Sequence, residues 1–296
     1  MTLTVKHKPG AQPRLFARRE LGPDLIGDAA LVISRELKSR PNIDAHIIVF
    51  ANEKGGVGKS TAAFHTSIAL CNAGHNVAGI DLDSRQQSLS RALENREGTR
   101  RRLKIPLPLP RYTMVTPQSA AIMAQEIARI GGDADFIVID VAGHDSPLAR
   151  RAIAMADTLV TPINNSFVDI DLLGRYDPVT HKLKSFGPFA RLVQELREVR
   201  DHQRQPPFDW IVMPNRTRHL PSHNQVSIAS ALSDLGPKAG FRLAAGLGER
   251  LVYRDLFLMG LTLLDLKYIP EFAKAAPVAK AEITQMIAEL RLPIFV

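Results

Sequence analysis

The residues best suited to chemistry in this chain lie in one run, Glu53-Lys54-Gly55-Gly56-Val57-Gly58-Lys59-Ser60-Thr61. Glycines 55, 56 and 58 let main-chain N–H groups close around an anion. A helix starting just after them would turn the positive end of its dipole to the same point. In such a cradle Lys59 reaches the β and γ phosphates of a nucleotide, and Ser60 places its hydroxyl on Mg2+. A strict phosphate loop has glycine five residues before the Gly58-Lys59-Ser60 triplet; here that position is Glu53, and a second lysine, Lys54, follows it. A glycine-rich turn ahead of an ordinary helix would require neither Lys59 nor Ser60 at these offsets. Carboxylates that could serve the same site end two apolar runs, Asp81 and Asp83 after Val77–Ile80 and Asp140 after Phe136–Ile139.

Positioning these groups requires a scaffold, and the hydrophobic pattern supplies one. Ile47–Phe50 runs straight into the glycine loop, and Thr61–Cys71 continues as a helix, which is how an α/β nucleotide fold opens. Further strands are expected at 77–80, 136–139, 158–161 and 210–213, with a short sixth at Leu261–Leu264. Near-continuous apolar strands separated by helical stretches predict a doubly wound, mainly parallel sheet with helices on both faces, the phosphate-loop NTPase architecture. Ligands of such sheets sit at the carboxyl ends of the strands, where the acidic residues lie. A helix over 189–204 should bury Phe189, Leu192, Val193, Leu196 and Val199 and leave Arg197, Arg200 and Arg204 outside, with Arg197 able to pair with Asp201. A last helix, 278–291, mixes Lys280 and Arg291 with Glu282 and Glu289, so it is no basic membrane anchor, and its apolar stripe belongs to the core.

Ahead of this unit the chain is different. Residues 1–23 are punctuated by Pro9, Gly10, Pro13, Gly22 and Pro23 and carry Lys6, Lys8, Arg14, Arg18 and Arg19 with no acidic residue before Glu20. An amphipathic helix from Leu25 to about Lys38 follows, capped by Asp24. The division expected is a basic arm with its helix at 1–44 and an ATPase domain at 45–296. The Ile105–Pro110 stretch, with alternating prolines beside Arg100, Arg101, Arg102 and Lys104, reads as an exposed polyproline-like connection with a solvated charge run; a nucleic-acid contact is the other reading.

Composition bounds the rest. Lysine and arginine exceed aspartate and glutamate by 8, which favours polyanions without naming one. No apolar run approaches the roughly 18–20 residues that span a bilayer. The arm lacks the apolar core of a secretory signal, so export is not expected. A single cysteine, Cys71, excludes an intramolecular disulfide and a single-chain cysteine-rich metal site, and suits a reducing compartment.

Lys54-Gly55-Gly56-Val57-Gly58-Lys59-Ser60-Thr61 resembles the deviant Walker A box of the ParA/MinD ATPases. The resemblance is greatest to their MipZ branch, through Asn52–Gly56, Ile80–Asp83, Asn164–Asp169, Tyr176–Thr180, Tyr253–Phe257 and Gly260–Asp265, and it runs from about residue 45 nearly to the C-terminus. It implies a bacterial, cytoplasmic regulatory ATPase, nucleoid- or pole-associated, that binds ATP with Mg2+ and forms a homodimer around ATP. Such a protein controls where the tubulin-like division protein FtsZ assembles relative to the chromosome, working with a ParB-type centromere-binding protein. The resemblance makes Lys54 the lysine that crosses to the partner's nucleotide, Asp83 the group orienting the attacking water, Asp140 the Walker B carboxylate of the magnesium shell and Gly143 the switch glycine. Asn215 and Arg216 fall at the adenine-facing position, where capping of a loop is the competing reading; for Asp83 the competing reading is a strand-end turn. A ParA-like DNA-partition ATPase and a metabolic ATP-dependent ligase on the same fold are the alternatives; a second catalytic motif for a ligase is not visible. Paired cluster cysteines of the nitrogenase-reductase branch are missing.

Three departures stand out. Where the family continues its Walker B aspartate with Thr-Pro-Gly, this chain has Val141-Ala142-Gly143. No lysine or arginine occurs from His219 to Pro237, and Gly248 stands where a basic residue is expected. Non-specific DNA affinity in the core is therefore expected to be weakened, with the arm as the better polyanion contact and no stable membrane anchor.

Overall fold

The computed structural model describes residues 33, 34, 37, 43–116, 119–177, 182–217, 223–269 and 277–293. The basic arm and most of the 25–38 helix lie outside these residues, as does Arg218.

Seven strands form one parallel sheet: β1 (His46–Phe50), β2 (Val77–Asp81), β3 (Arg111–Met114), β4 (Phe136–Asp140), β5 (Thr158–Asn164), β8 (Asp209–Asn215) and β9 (Arg242–Leu243), in the spatial order β3-β2-β4-β1-β5-β8-β9. β6 (Gly174–Tyr176) and β7 (Leu183–Phe186) pair as a separate antiparallel hairpin. Alternation along β1 shows why the strands read as continuous apolar runs. Ile47 and Val49 enter one core cluster, with residues of the helices Ala120–Gly131, Pro147–Met155, Pro188–His202 and His223–Ala239. Ile48 and Phe50 enter the other, with the helices Lys59–Asn72, Ser88–Leu103, Leu251–Leu258 and Pro277–Leu290. Both faces are covered, so neither set of side chains meets water. The register of β1 against β4 pairs Phe50 with Asp140, and that of β2 against β4 pairs Asp81 with Asp140, which brings the end of the phosphate loop strand level with both carboxylates.

The described part of the first helix, Ile33, Ser34 and Leu37, packs on the ATPase unit: Ile33 and Leu37 are buried in the first cluster, and Gln203 Nε2 donates to Ser34 Oγ at 2.6 Å.

Four readings need correction. Leu261–Leu264 is not a strand: Thr262 caps a 3-10 helix at Leu263–Lys267, with Asp265 closing the box on the Thr262 N–H. Arg200 is not outside but buried, donating to the carbonyls of Ala154, Ala156 and Pro206. Arg197 stacks over Phe208 and Trp210 and donates to the carbonyls of Ala239 and Gly240 rather than pairing with Asp201. The Ile105–Pro110 connection has no regular secondary structure but is not exposed throughout, because Leu107 is buried in the second cluster with Ile105 and Leu109 packed beside it.

Candidate nucleotide site

The loop between β1 and the Lys59–Asn72 helix is shaped by two glycines in the left-handed region, Gly56 at φ +75° and Gly58 at φ +93°, where a side chain would be strained. A Cβ on Gly58 would also fall 2.2 Å from Asn215 Nδ2. The N–H groups of Gly55, Gly56 and Gly58 meet no acceptor among the described residues, as a cradle for an outside anion requires. Asn52 braces the loop from below, its amide donating to the Pro162 carbonyl at 2.6 Å and accepting from the Lys54 N–H at 3.0 Å.

The two lysines part company. Lys59 is buried and turns inward, its Nζ donating to the Lys54 carbonyl at 2.9 Å. Burial lowers its pKa, opposed by the charges of Asp140 and Asp83. Lys54 is partly exposed and ion-pairs with Asp169, which is completely buried. Asp169 is held in turn by the Asn164 N–H, donating to its other oxygen at 2.7 Å, within a short helix (Phe167–Ile170) capped by Ser166.

Behind the loop lie the carboxylates. Asp140 ends β4 almost wholly buried, and desolvation followed by the Asp81 charge pushes it up to about 8, with the Ser60 hydroxyl bond and Lys59 pulling the other way. Its Oδ1 has no hydrogen-bond partner among the described residues. Asp81, also raised by burial, accepts the N–H groups of Asp83 at 2.9 Å and Ser90 at 3.0 Å and so organises the turn after β2. Asp83 sits on that turn and accepts the N–H groups of Arg85 at 3.1 Å and Gln86 at 2.9 Å. Gly143 packs on the loop itself: a Cβ there would lie 3.0 Å from Gly55 Cα and 3.2 Å from Lys59 Nζ. A buried carboxylate oxygen with an open lone pair beside a serine hydroxyl is a hard-oxygen donor set, and it fits Mg2+.

Against this geometry, the sequence model of the family described as ATPase MipZ matches residues 46–294. The chain belongs to that family.

Further relatives agree with the assignment. The chromosome partitioning protein ParA of Myxococcus xanthus is 25% identical over 255 residues, covering 71% of this chain and 88% of the relative. Solved structures share the fold. The ATP complex of a Cyanothece McdA variant has a TM-score of 0.56 at 16% identity and covers 86% of this chain and 100% of its own. The MinC:MinD cell division protein complex of Aquifex aeolicus has 0.53 at 18% and covers 85% and 98%.

For a MipZ-family chain the site residues fall as follows. Lys54 to Thr61, Asp140 and Gly143 converge on one loop, and Asp83 lies near enough for its charge to act on Lys59 and Asp140. Asn215 commits its amide to the fold, Nδ2 donating to the Val57 carbonyl at 2.8 Å and Oδ1 accepting the Leu247 N–H at 2.9 Å. Arg216, at φ +53°, is exposed next to it and donates its N–H to the Leu247 carbonyl at 2.7 Å. Asp169 and Asn52 were not singled out from the residue pattern. The signal for Asp169 was present: Ser166-x-x-Asp169 after a strand is the start of a capped turn.

Proposed function

We propose that this chain is an ATP-hydrolysing molecular timer that dimerises around ATP and, by its family membership, controls placement of a tubulin-like division ring of FtsZ relative to the chromosome. The single observation that supports it is the division of labour between the two loop lysines, one buried under the cradle and one partly exposed and held by Asp169 from outside the loop.

The residues take these roles in the reading. The N–H groups of Gly55, Gly56, Val57 and Gly58 and the start of the Lys59 helix hold the phosphates, with Thr61 completing the loop. Lys59 neutralises charge at the β and γ positions. Ser60 and Asp140 hold Mg2+, which when bound draws charge from the phosphate oxygens. Asp83 orients the attacking water, and loose phosphoryl transition states need such positioning more than covalent chemistry. Gly143 leaves room for its N–H to approach the γ-phosphate. Lys54 moves from Asp169 to the nucleotide of the partner protomer, which ties turnover to assembly. Asn215 supports the loop, with Arg216 next to the base. Residues 45–296 form the ATPase unit and 1–44 an arm whose helix docks through Ile33 and Leu37. A ParB-type protein would concentrate the chain on the chromosome. A ParA-like role in DNA partition is the second reading, and the 25% identity to the Myxococcus xanthus protein favours it. Among the described residues no helix is long and apolar enough to cross a membrane.

The test is phosphate release from ATP by the full chain and by Asp83→Ala. Wild type should turn over slowly with a rate per chain that rises with protein concentration; the variant should bind ATP and release no phosphate. Equal release by both would remove Asp83 from the reaction, and a concentration-independent rate would remove dimerisation from it.

A further inference from the structure

Gly143 stands in the middle of a short bridge with both ends tied. Upstream, Val141 is buried, and its N–H donates to the carbonyl of Phe50 at the end of β1, at 3.1 Å. Downstream, the Asp145 carboxylate accepts two bonds from one guanidinium, Arg150 Nε at 2.9 Å and Nη2 at 2.6 Å. Ser146 then caps the Pro147–Met155 helix, its hydroxyl oxygen accepting the Ala149 N–H at 3.1 Å, so Arg150 lies in the first turn of the helix that the bridge enters. Only Ala142, Gly143 and His144 separate the two ties. The Gly143 N–H meets no acceptor among the described residues, while the residue itself is pressed against the phosphate loop, a Cβ there falling 3.0 Å from Gly55 Cα. Where that N–H points is therefore set by where Asp145 is held.

Arg150 acts on the phosphate loop as well. Asn52, Glu53, His144 and Asp145 border one hollow of about 10 Å³ beside Phe189, far too small for a ligand, so its walls act on one another. The half-buried Glu53 carboxyl is raised by burial and then by the Asp145 charge, with Arg150 pulling it down. The bond from Arg150 holds Asp145 below its ordinary value. Glu195 of the Pro188–His202 helix adds its charge to the same guanidinium. One arginine thus faces carboxylates from the loop, the bridge and a third element, and among the described residues it ion-pairs with Asp145. A two-bond fork fixes orientation as well as distance, which a single ammonium cannot do.

We propose that Arg150 is the positioning residue of this site: by clamping Asp145 it aims the Gly143 N–H at the place of the γ-phosphate and keeps the bridge seated on the phosphate loop. The inference rests on the ATPase reading for what the N–H meets; what holds the N–H is given by the bonds of this chain. The cradle and Lys59 supply the hold on ATP, so the loss of Arg150 falls on turnover and leaves binding alone.

Two measurements on the full chain test this, with Arg150→Ala, Arg150→Lys, Asp145→Asn and, as a control of equal charge loss, Arg191→Ala. The first is amide hydrogen exchange of the 141–146 segment without nucleotide, which reports local opening. Arg150→Ala should exchange faster there, Arg191→Ala as wild type. The second is phosphate release against ATP concentration. Arg150→Ala should lower kcat by about ten- to a hundredfold, the scale of a small misplacement, with KM unchanged. Arg150→Lys keeps the charge without the fork and should recover part of both effects. Asp145→Asn, which keeps one oxygen for the guanidinium, should fall between wild type and Arg150→Ala. Unchanged exchange in Arg150→Ala would overturn the proposal whether or not the chain hydrolyses ATP. So would faster exchange with undiminished kcat, or a loss carried by KM alone. A wild type that releases no phosphate would be the failure of the ATPase reading, told apart by exchange that Arg150→Ala still quickens.

Discussion

Replacing Asp169 with asparagine should make the ATP-bound dimer tighter. In the isolated protomer Lys54 rests on a carboxylate that is 0% exposed, while the lysine side chain itself is 38% exposed. If Lys54 crosses to the partner, Asp169 keeps only the Asn164 N–H at 2.7 Å and stands as a buried charge without its cation. Removing one partner of a buried pair costs about 3–5 kcal/mol; with the lysine more than a third in solvent, roughly 1–2 kcal/mol per protomer is the better figure. Two protomers close together, so the penalty is roughly 2–4 kcal/mol, or a dimer dissociation constant raised about thirtyfold or more. Asparagine retains an oxygen for the Asn164 N–H but no charge to strand. Sedimentation velocity across a protein-concentration series, at saturating slowly hydrolysed ATP analogue, reads the constant for wild type and Asp169→Asn. Urea midpoints for the two chains check that the short Phe167–Ile170 helix has survived. A folded variant whose dimer is no tighter than wild type, or weaker, would refute the idea that Asp169 restrains Lys54.

Lys59→Ala should lose nucleotide binding, because the inward counter-charge on the cradle disappears; titration calorimetry showing micromolar ATP affinity in this variant would contradict its role. Asp265→Ala should destabilise the fold by about 3–5 kcal/mol, since it strands the buried Arg96 guanidinium that Asp265 holds with two bonds of 2.7 and 2.8 Å. The urea midpoint should fall with an unchanged slope, and Arg96→Met/Asp265→Leu should recover most of the loss. His65 is fully buried among Phe64 and Tyr253, near Arg96 and Asp265, and burial lowers its pKa from 6.5 to about 4. Its proton is therefore taken up by the unfolded chain first, so the stability it confers is present above about pH 6.5 and is lost as pH falls toward 4, roughly 3 kcal/mol in all. His65→Leu should flatten that part of the urea-midpoint profile; an identical profile would contradict it.

The phosphate loop, its two lysines and the buried strands were legible because each is a local pattern: glycines at fixed offsets, and apolar runs sealed on both faces. β3 was not, since Arg111–Met114 is a polar, half-exposed edge strand that, among the described residues, pairs with β2 alone. Leu261–Leu264 has the composition of a strand, but Asp265, fixed by Arg96 from a distant helix, closes a cap on Thr262 and bends the run into a 3-10 turn. Arg200 carried a misleading signal for a similar reason. Its helix face is basic, yet Arg200 turns to the C-terminal end of the Pro147–Met155 helix, where the carbonyls of Ala154 and Ala156, together with that of Pro206, take its donors. The tie of Asn215 between Val57 and Leu247 joins loops far apart in sequence, so no spacing could announce it.

The proposed coupling of ATP to assembly rests on Lys54. Its most direct measurement is the mass in solution of wild type and Lys54→Ala, each with and without a slowly hydrolysed ATP analogue, with nucleotide binding followed in parallel. Wild type should be a monomer that doubles in mass on adding the analogue, and the variant should bind the analogue and stay monomeric. A Lys54→Ala chain that doubles in mass as wild type does, or a wild type whose mass ignores the nucleotide, would contradict it.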